Sequence, residues 1–221
     1  MTMQPYIKRI PLFPLNTVLF PGATIPLQIF ESRYLTMIED CLKDDSIFGI
    51  VLIKSGKEVG GNPNPYSVGT TAKITSVKNI SGNRLYITAV GEEKFEILET
   101  FNDQPYMSAD VEILPNLDIF DEPPSDELDE AREIASKHLQ SVLGLSGGWV
   151  ENALNPTPST PESLSYFIAQ MLQLDVRDRQ KLLEEPSSRE RLKDCIKFLN
   201  DENESMALRL EIELLHKFSR Q

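Results

Sequence analysis

The sequence is poor in the residues that most often carry chemistry. Its 221 residues include two cysteines, Cys41 and Cys195, and two histidines, His138 and His216. Two cysteines so far apart build neither a disulfide framework nor a local metal clip, and they read as reduced, buried thiols of a cytoplasmic protein. The histidines lack the H-E-x-x-H spacing that sets two imidazoles on one helix face, and they read as structural side chains. No run of about 18 apolar residues occurs, so no membrane-spanning helix is expected. The opening MTMQPYIKRIPLFPL is broken by Pro11 and Pro14 where a secretory signal needs a continuous apolar stretch. Basic residues are also scarce, 22 Lys and Arg against 34 Asp and Glu, for a formal net charge of -12. Residues 1–118 hold 10 basic and 14 acidic side chains and residues 119–221 hold 12 and 20, so the acidity belongs mainly to the second half. Such a field repels polyanions, and nucleic acid is not an expected partner.

The signatures of catalysis are equally thin. No G-x-x-x-x-G-K-[ST] loop is present to cradle a nucleotide phosphate. The run Gly144-Leu145-Ser146-Gly147-Gly148 satisfies G-x-S-x-G, which in a nucleophile elbow requires a strand before the serine and a helix after it. Here the preceding residues carry helical periodicity, and the glycines stand where a helix C-cap belongs. The acid pairs Glu92-Glu93 and Asp44-Asp45 read as solvated turn residues. No residue set suits a cofactor or a metal, and the expectation is a chain without an enzymatic centre of its own.

What is present is pattern. Strand-like runs occur at 10–12, 18–20, 25–30, 47–53, 70–80, 84–90, 94–100 and 107–114, several with the apolar–polar alternation of a half-buried strand. Ser81-Gly82-Asn83 between two of them reads as a hairpin turn, because Gly and Asn tolerate positive φ. Pro26 restricts its run to a sheet edge or a strand start. Tyr34, Met37, Ile38, Cys41 and Leu42 fall at helical spacing. The stretch 56–66, GKEVGGNPNPY, is too rich in Gly, Pro and Asn to be regular and reads as a mobile loop.

Residues 115–127, PNLDIFDEPPSDE, mark a boundary of prolines and carboxylates. Beyond them the text is helical. Acids open the first helix, with Leu128, Ile134, Ala135, Leu139, Val142 and Leu143 as its buried face. Thr160 and Pro161 supply an N-cap and a first helical position. Ser187 and Glu190 have capping-box spacing ahead of a long helix striped by Leu192, Ile196, Leu199, Met206, Leu210 and Leu214.

IPLFPLNTVLFPGATIPLQIFESRYLTMIEDCL closely resembles the start of the Lon protease N-terminal domain family, with its PLFPL, FPG and PL-x-IFE-x-RY motifs. FGIVL, VGTTAKI, GEEKFEI, PYMSADVEIL, LSYFIAQMLQL and RQKLLEEPSSRERL extend the likeness over residues 7–215. Lys94 departs from the arginine most common before that Phe in the family. The resemblance implies an α+β chain: a PUA-like mixed β domain over 1–118, of six or more strands plus one helix, then a four-helix or similar bundle over 119–221. It implies a substrate-recognition role, while the family's ATPase and Ser-Lys peptidase parts would lie beyond Gln221, giving a stand-alone member without them.

The expected function is therefore a non-catalytic module that binds unfolded or extended polypeptide, as an adaptor that brings substrates to a protease in quality control. Phe30, Tyr34, Tyr106 and Trp149 are the expected apolar lining, and Arg33 the group that orients a carbonyl or carboxylate. The alternative for Arg33 is a structural ion pair with Glu31 at a helix start. Other readings are a partner protein acting through the C-terminal helix, a PUA-like RNA binder opposed by the acidic charge, and a hydrolase using Ser146. The expected state is a monomer or weak homo-oligomer.

Overall fold

A computed structural model describes the backbone of residues 7–61, 63–115, 123–145 and 158–218, and their side chains apart from 140–145 and 204–218. Strands β1 (Ile7–Leu15), β2 (Thr24–Ile29), β3 (Ile47–Ser55), β4 (Asn64–Ile80), β5 (Arg84–Phe101) and β6 (Ser108–Ile113) precede most of the helices. The helices are α1 (Ser32–Lys43), α2 (Ser125–Leu145), α3 (Pro161–Met171), α4 (Val176–Glu184) and α5 (Ser188–Phe218). The chain is thus α+β, with a mixed six-stranded sheet. It divides into two compact units, Met1–Asn116 with Leu174–Glu185, and Leu117–Gln173 with Pro186–Gln221.

In the first unit the strand order is β2-β5-β4-β3-β1-β6, and β6 also pairs with β5. The length of β5 makes this closure possible. Its first half pairs with β2, its second half with β6, and β4 runs along the other side of both. Register shifts between Thr70 and Ala72 and between Ile74 and Ser76 bend β4 as it follows. Strand β2 is left as an edge, which suits Pro26, a residue without an N–H to give a further neighbour. Only β1 and β3 run parallel. The β4–β5 turn places Gly82 at φ 85 and Asn83 at φ 54, as their residue types allow.

Several local readings change. The expected strands 84–90 and 94–100 are one, so Glu92 and Glu93 sit within β5 and not in a turn. Val18–Phe20 is not a strand, although all three residues are buried and Phe20 is fully so. Strand β4 begins at Asn64, inside the stretch expected to be irregular.

The β core joins Ile10, Leu12, Val51, Phe95, Ala109 and Val111. Helix α1 buries Tyr34, Leu35, Met37, Ile38 and Cys41, while Leu42 at its last turn is exposed. Helix α4 is fastened to the same unit by three contacts. The Arg179 guanidinium lies 5.0 Å from the Phe20 ring centre, Gln180 Nε2 donates to Val68 O at 3.0 Å, and Lys94 Nζ donates to Glu185 O at 3.1 Å.

The second unit packs α2, α3 and α5. The buried face of α2 is Ala131, Ala135 and His138, with Leu128, Ile134 and Leu139 only half-buried. His138 Nδ1 lies 2.9 Å from Asn203 Oδ1, a structural role for this imidazole. Thr160 accepts a hydrogen bond from Ser163 N at 3.2 Å and caps α3, with Pro161 following it. Ser187 Oγ accepts from Glu190 N at 3.3 Å ahead of α5. Leu192, Cys195 and Leu199 are buried and Ile196 half-buried, while Met206, Leu210 and Leu214 lie outside the described side chains. Among the described residues no helix is long and apolar enough to cross a membrane.

Candidate functional site

Two adjoining depressions open on the β-rich unit. The first, about 320 Å³, is lined by Pro14, Arg33, Tyr34, Pro63, Asn102, Gln104, Pro105, Tyr106 and Met107. The second, about 370 Å³, shares Pro63, Asn102 and Met107 with it and extends along Asn64–Ser67, Ile97 and Thr100. The cleft therefore forms where the end of β1, the start of α1, the start of β4 and the β5–β6 connection meet. Its lining is mainly proline, tyrosine and neutral amide, with Met107, Ile97, Ser67 and Thr100, and Arg33 is the single charged residue among those described.

Each aromatic wall is fixed by its own packing. Tyr34 is 4% exposed, and its ring centre lies 4.2 Å from that of Phe13. Burial raises the pKa of its hydroxyl, against the lowering influence of Arg33. Tyr106 is 8% exposed, and its hydroxyl donates to Asp40 Oδ2 at 3.1 Å. Burial pushes the Tyr106 hydroxyl up to about 12, with the Asp40 hydrogen bond adding to the rise. Asp40 is in turn held below its ordinary value, first by Lys43 and then by Tyr106. These two tyrosines line the cleft while remaining almost wholly buried.

Arg33 is engaged on every side. Its Nε donates to Glu31 Oε2 at 3.1 Å, its Nη1 to Gly61 O at 2.6 Å and its Nη2 to Glu58 O at 3.2 Å. Its guanidinium carbon stands 4.5 Å from the Tyr34 ring centre. The ion pair with Glu31 at the start of α1 is thus present, at 3.0 Å.

Arg33, Tyr34 and Tyr106 of the expected lining are brought together in the first depression. Phe30 is 52% exposed and lines neither depression. Trp149 lies outside the described residues, as does Ser146. Sequence reasoning missed Pro14, Pro63, Pro65, Asn102, Gln104 and Met107. The available signal was two stretches that set proline beside tyrosine, NPNPY at 62–66 and DQPYM at 103–107.

The cleft can bind: among the described residues its lining carries the hydroxyls of Ser67 and Thr100 but no imidazole or carboxylate. Among the described residues no group of three or more His, Cys, Asp or Glu is placed to hold a metal ion. Burial pushes both thiols, Cys41 and Cys195, up to about 12, far from the thiolate a nucleophile needs.

Among the described residues, a mixed sheet closed by one long strand and the helices α2, α3 and α5 define an α+β fold. The chain belongs to the ATP-dependent protease La (LON) substrate-binding domain family, whose pattern matches residues 9–201. It is 24% identical over 207 residues to the Lon protease of Anaeromyxobacter dehalogenans, covering 92% of this chain and 24% of that protein. It is 27% identical over 220 residues to the Lon protease of Flavobacterium johnsoniae, covering 95% and 26%. The chain spans about a quarter of the length of these relatives. Among solved structures, the Lon N-terminal domain protein from Xanthomonas campestris superposes with a TM-score of 0.66 at 26% identity, covering 86% of this chain and 98% of that one. The N-terminal domain of the Mycobacterium avium complex Lon protease shares the fold, at a TM-score of 0.65 and 19% identity over 88% and 99% of the two chains.

Proposed function

We propose that this chain is a non-catalytic recognition module that holds an extended, unfolded polypeptide segment in the Tyr34–Tyr106 cleft and works with a protease in cytoplasmic protein quality control. The observation that carries the proposal is the match of residues 9–201 to a substrate-binding domain. The cleft supplies a physical means. Apolar walls of Pro14, Tyr34, Pro63 and Met107 accept a side chain, and the Asn102 and Gln104 amides offer both donors and acceptors to a guest backbone. Amides read main chain and not side-chain identity, which suits a module that meets many sequences.

The test is a titration of the intact chain with a permanently unfolded polypeptide, reduced and carbamidomethylated lysozyme, at physiological salt to screen the net charge. The expected dissociation constant is on the order of 10 μM, equivalent to about 7 kcal/mol. Asn102 is exposed and lines both depressions, so Asn102→Trp fills the cleft without disturbing the core. It should weaken binding about tenfold or more, with thermal stability unchanged. No binding by the parent chain, or equal binding by Asn102→Trp, would refute the proposal.

A further inference from the structure

The segment 56–61, SGKEVGG from Ser55 onward, has a composition that predicts mobility, yet in the structure it is tied down from two sides. Arg33 donates to the carbonyls of Gly61, at 2.6 Å, and Glu58, at 3.2 Å. Glu31 Oε2 accepts from Gly60 N at 3.2 Å while also holding the Arg33 guanidinium. From the β1 end, Asn16 donates its backbone N–H and its side-chain amide to Glu58 Oε2 at 3.1 and 2.6 Å. Gly60 adopts φ 68 in the middle of these contacts, a conformation that a side-chain-bearing residue would strain. The segment leads directly toward Pro63, which lines both depressions.

A second feature shows where the Glu31 carboxylate is spent. Glu31 is the N-cap residue of α1, but its side chain makes no capping hydrogen bond to the helix. The helix start forgoes the stabilisation that a Ser, Thr or Asp would give there. Its carboxylate turns instead to Arg33 and to Gly60 N. Glu31 and Arg33 are only 18% and 22% exposed, so the pair works in partly excluded solvent, where its hydrogen bonds are worth more than at an open surface.

We propose that Glu31 and Arg33 form a latch that holds segment 56–61 in place and so fixes the approach of the chain to Pro63, which lines both depressions. Arg33 lines the first depression, and it acts there as a positioning residue, because its guanidinium donors are committed to Glu31 and to two loop carbonyls. The planar fork matters, since one group must reach a carboxylate and two carbonyls together, and a lysine ammonium offers no such fixed geometry. The binding half of this inference rests on the cleft being the polypeptide site. The latch itself does not.

The experiment therefore has two readouts on the full chain: amide hydrogen exchange over 57–61, and affinity for the same unfolded lysozyme. Arg33→Met and Glu31→Gln should speed exchange at Gly60 and Gly61 by roughly 10- to 100-fold, because charge-assisted bonds to the segment are lost. Amides of the β core, such as those of Ile50 and Ala72, should exchange as before. Arg33→Lys should fail to restore protection. Binding should weaken about tenfold in Arg33→Met with the melting temperature little changed, through a faster off-rate as Pro63 loses its fixed approach. Unchanged exchange in the segment, or equal acceleration throughout the β core, overturns the latch. Faster exchange with undiminished binding overturns the positioning role. If the parent chain binds no unfolded polypeptide, the functional reading falls, and exchange alone still decides the latch.

Discussion

Arg191 and Arg33 each lie over a tyrosine ring, at 3.9 Å from Tyr166 and 4.5 Å from Tyr34. Arg191 is fully buried in the helical unit, and its Nε donates to Ser165 Oγ at 2.9 Å. Ser165 passes the connection on by donating to Glu162 O at 2.7 Å. Arg33 keeps part of its surface in solvent and directs its donors at an irregular segment beside a cleft. The same side chain over the same ring thus does two different jobs. Where it is sealed among helices it ties secondary structure together, and where it is partly open it holds an irregular segment beside a cleft.

The two jobs separate under mutation. Arg191→Ala leaves a cavity and strips the donor from a buried hydroxyl, so it should cost the helical unit about 3 kcal/mol or more. Urea melts followed by helical circular dichroism would show it, alongside the β unit as an internal reference. Arg33→Met should shift global stability by about 1 kcal/mol or less, since a partly exposed ion pair is screened. Equal losses from the two substitutions would erase the contrast. A smaller effect is expected at the start of α3, where Thr160→Ala removes the bond from Ser163 N at a cost of about 1 kcal/mol.

The smallest expected effect is a pH dependence in the β unit. Lys43 and Tyr106 hold Asp40 below its ordinary 3.8, so its contribution is present above that value and is lost as pH falls through the lower folded one. Tyr106 is raised from 10.0 to about 12, so its contribution is intact below 10 and is lost as pH rises toward 12. Stability of the unit should therefore be level across neutral pH and decline at both extremes. Asp40→Asn should flatten the acid limb, as read from melting temperature against pH.

Some local signals in the sequence correspond directly to the structure. The Ser81–Asn83 turn, the Thr160 cap and the edge position of Pro26 each depend on a few neighbouring residues. The single strand β5 was not legible, because Glu92 and Glu93 interrupt its apolar alternation while its pairing with β4 continues beyond them. The attachment of α4 to the β unit was hidden too, since it rests on Val68, Lys94 and Phe20, far away in the chain. Part of the cleft was legible through Arg33, Tyr34 and Tyr106, which stand beside turns or helix starts. The rest was not, because Pro14, Pro63, Asn102 and Met107 become neighbours only when the sheet closes. Segment 56–61 misled for the same reason. Its composition carries no trace of the distant carboxylate and guanidinium that hold it.

The most direct measurement is a backbone amide map of the intact chain during titration with unfolded lysozyme. If the cleft holds the polypeptide, perturbations gather at the amides of residues 33–34, 64, 66–67, 102–104 and 106–107, with those of helices α2, α3 and α5 unaffected. Binding that leaves those residues unperturbed and maps to the helical unit would contradict it.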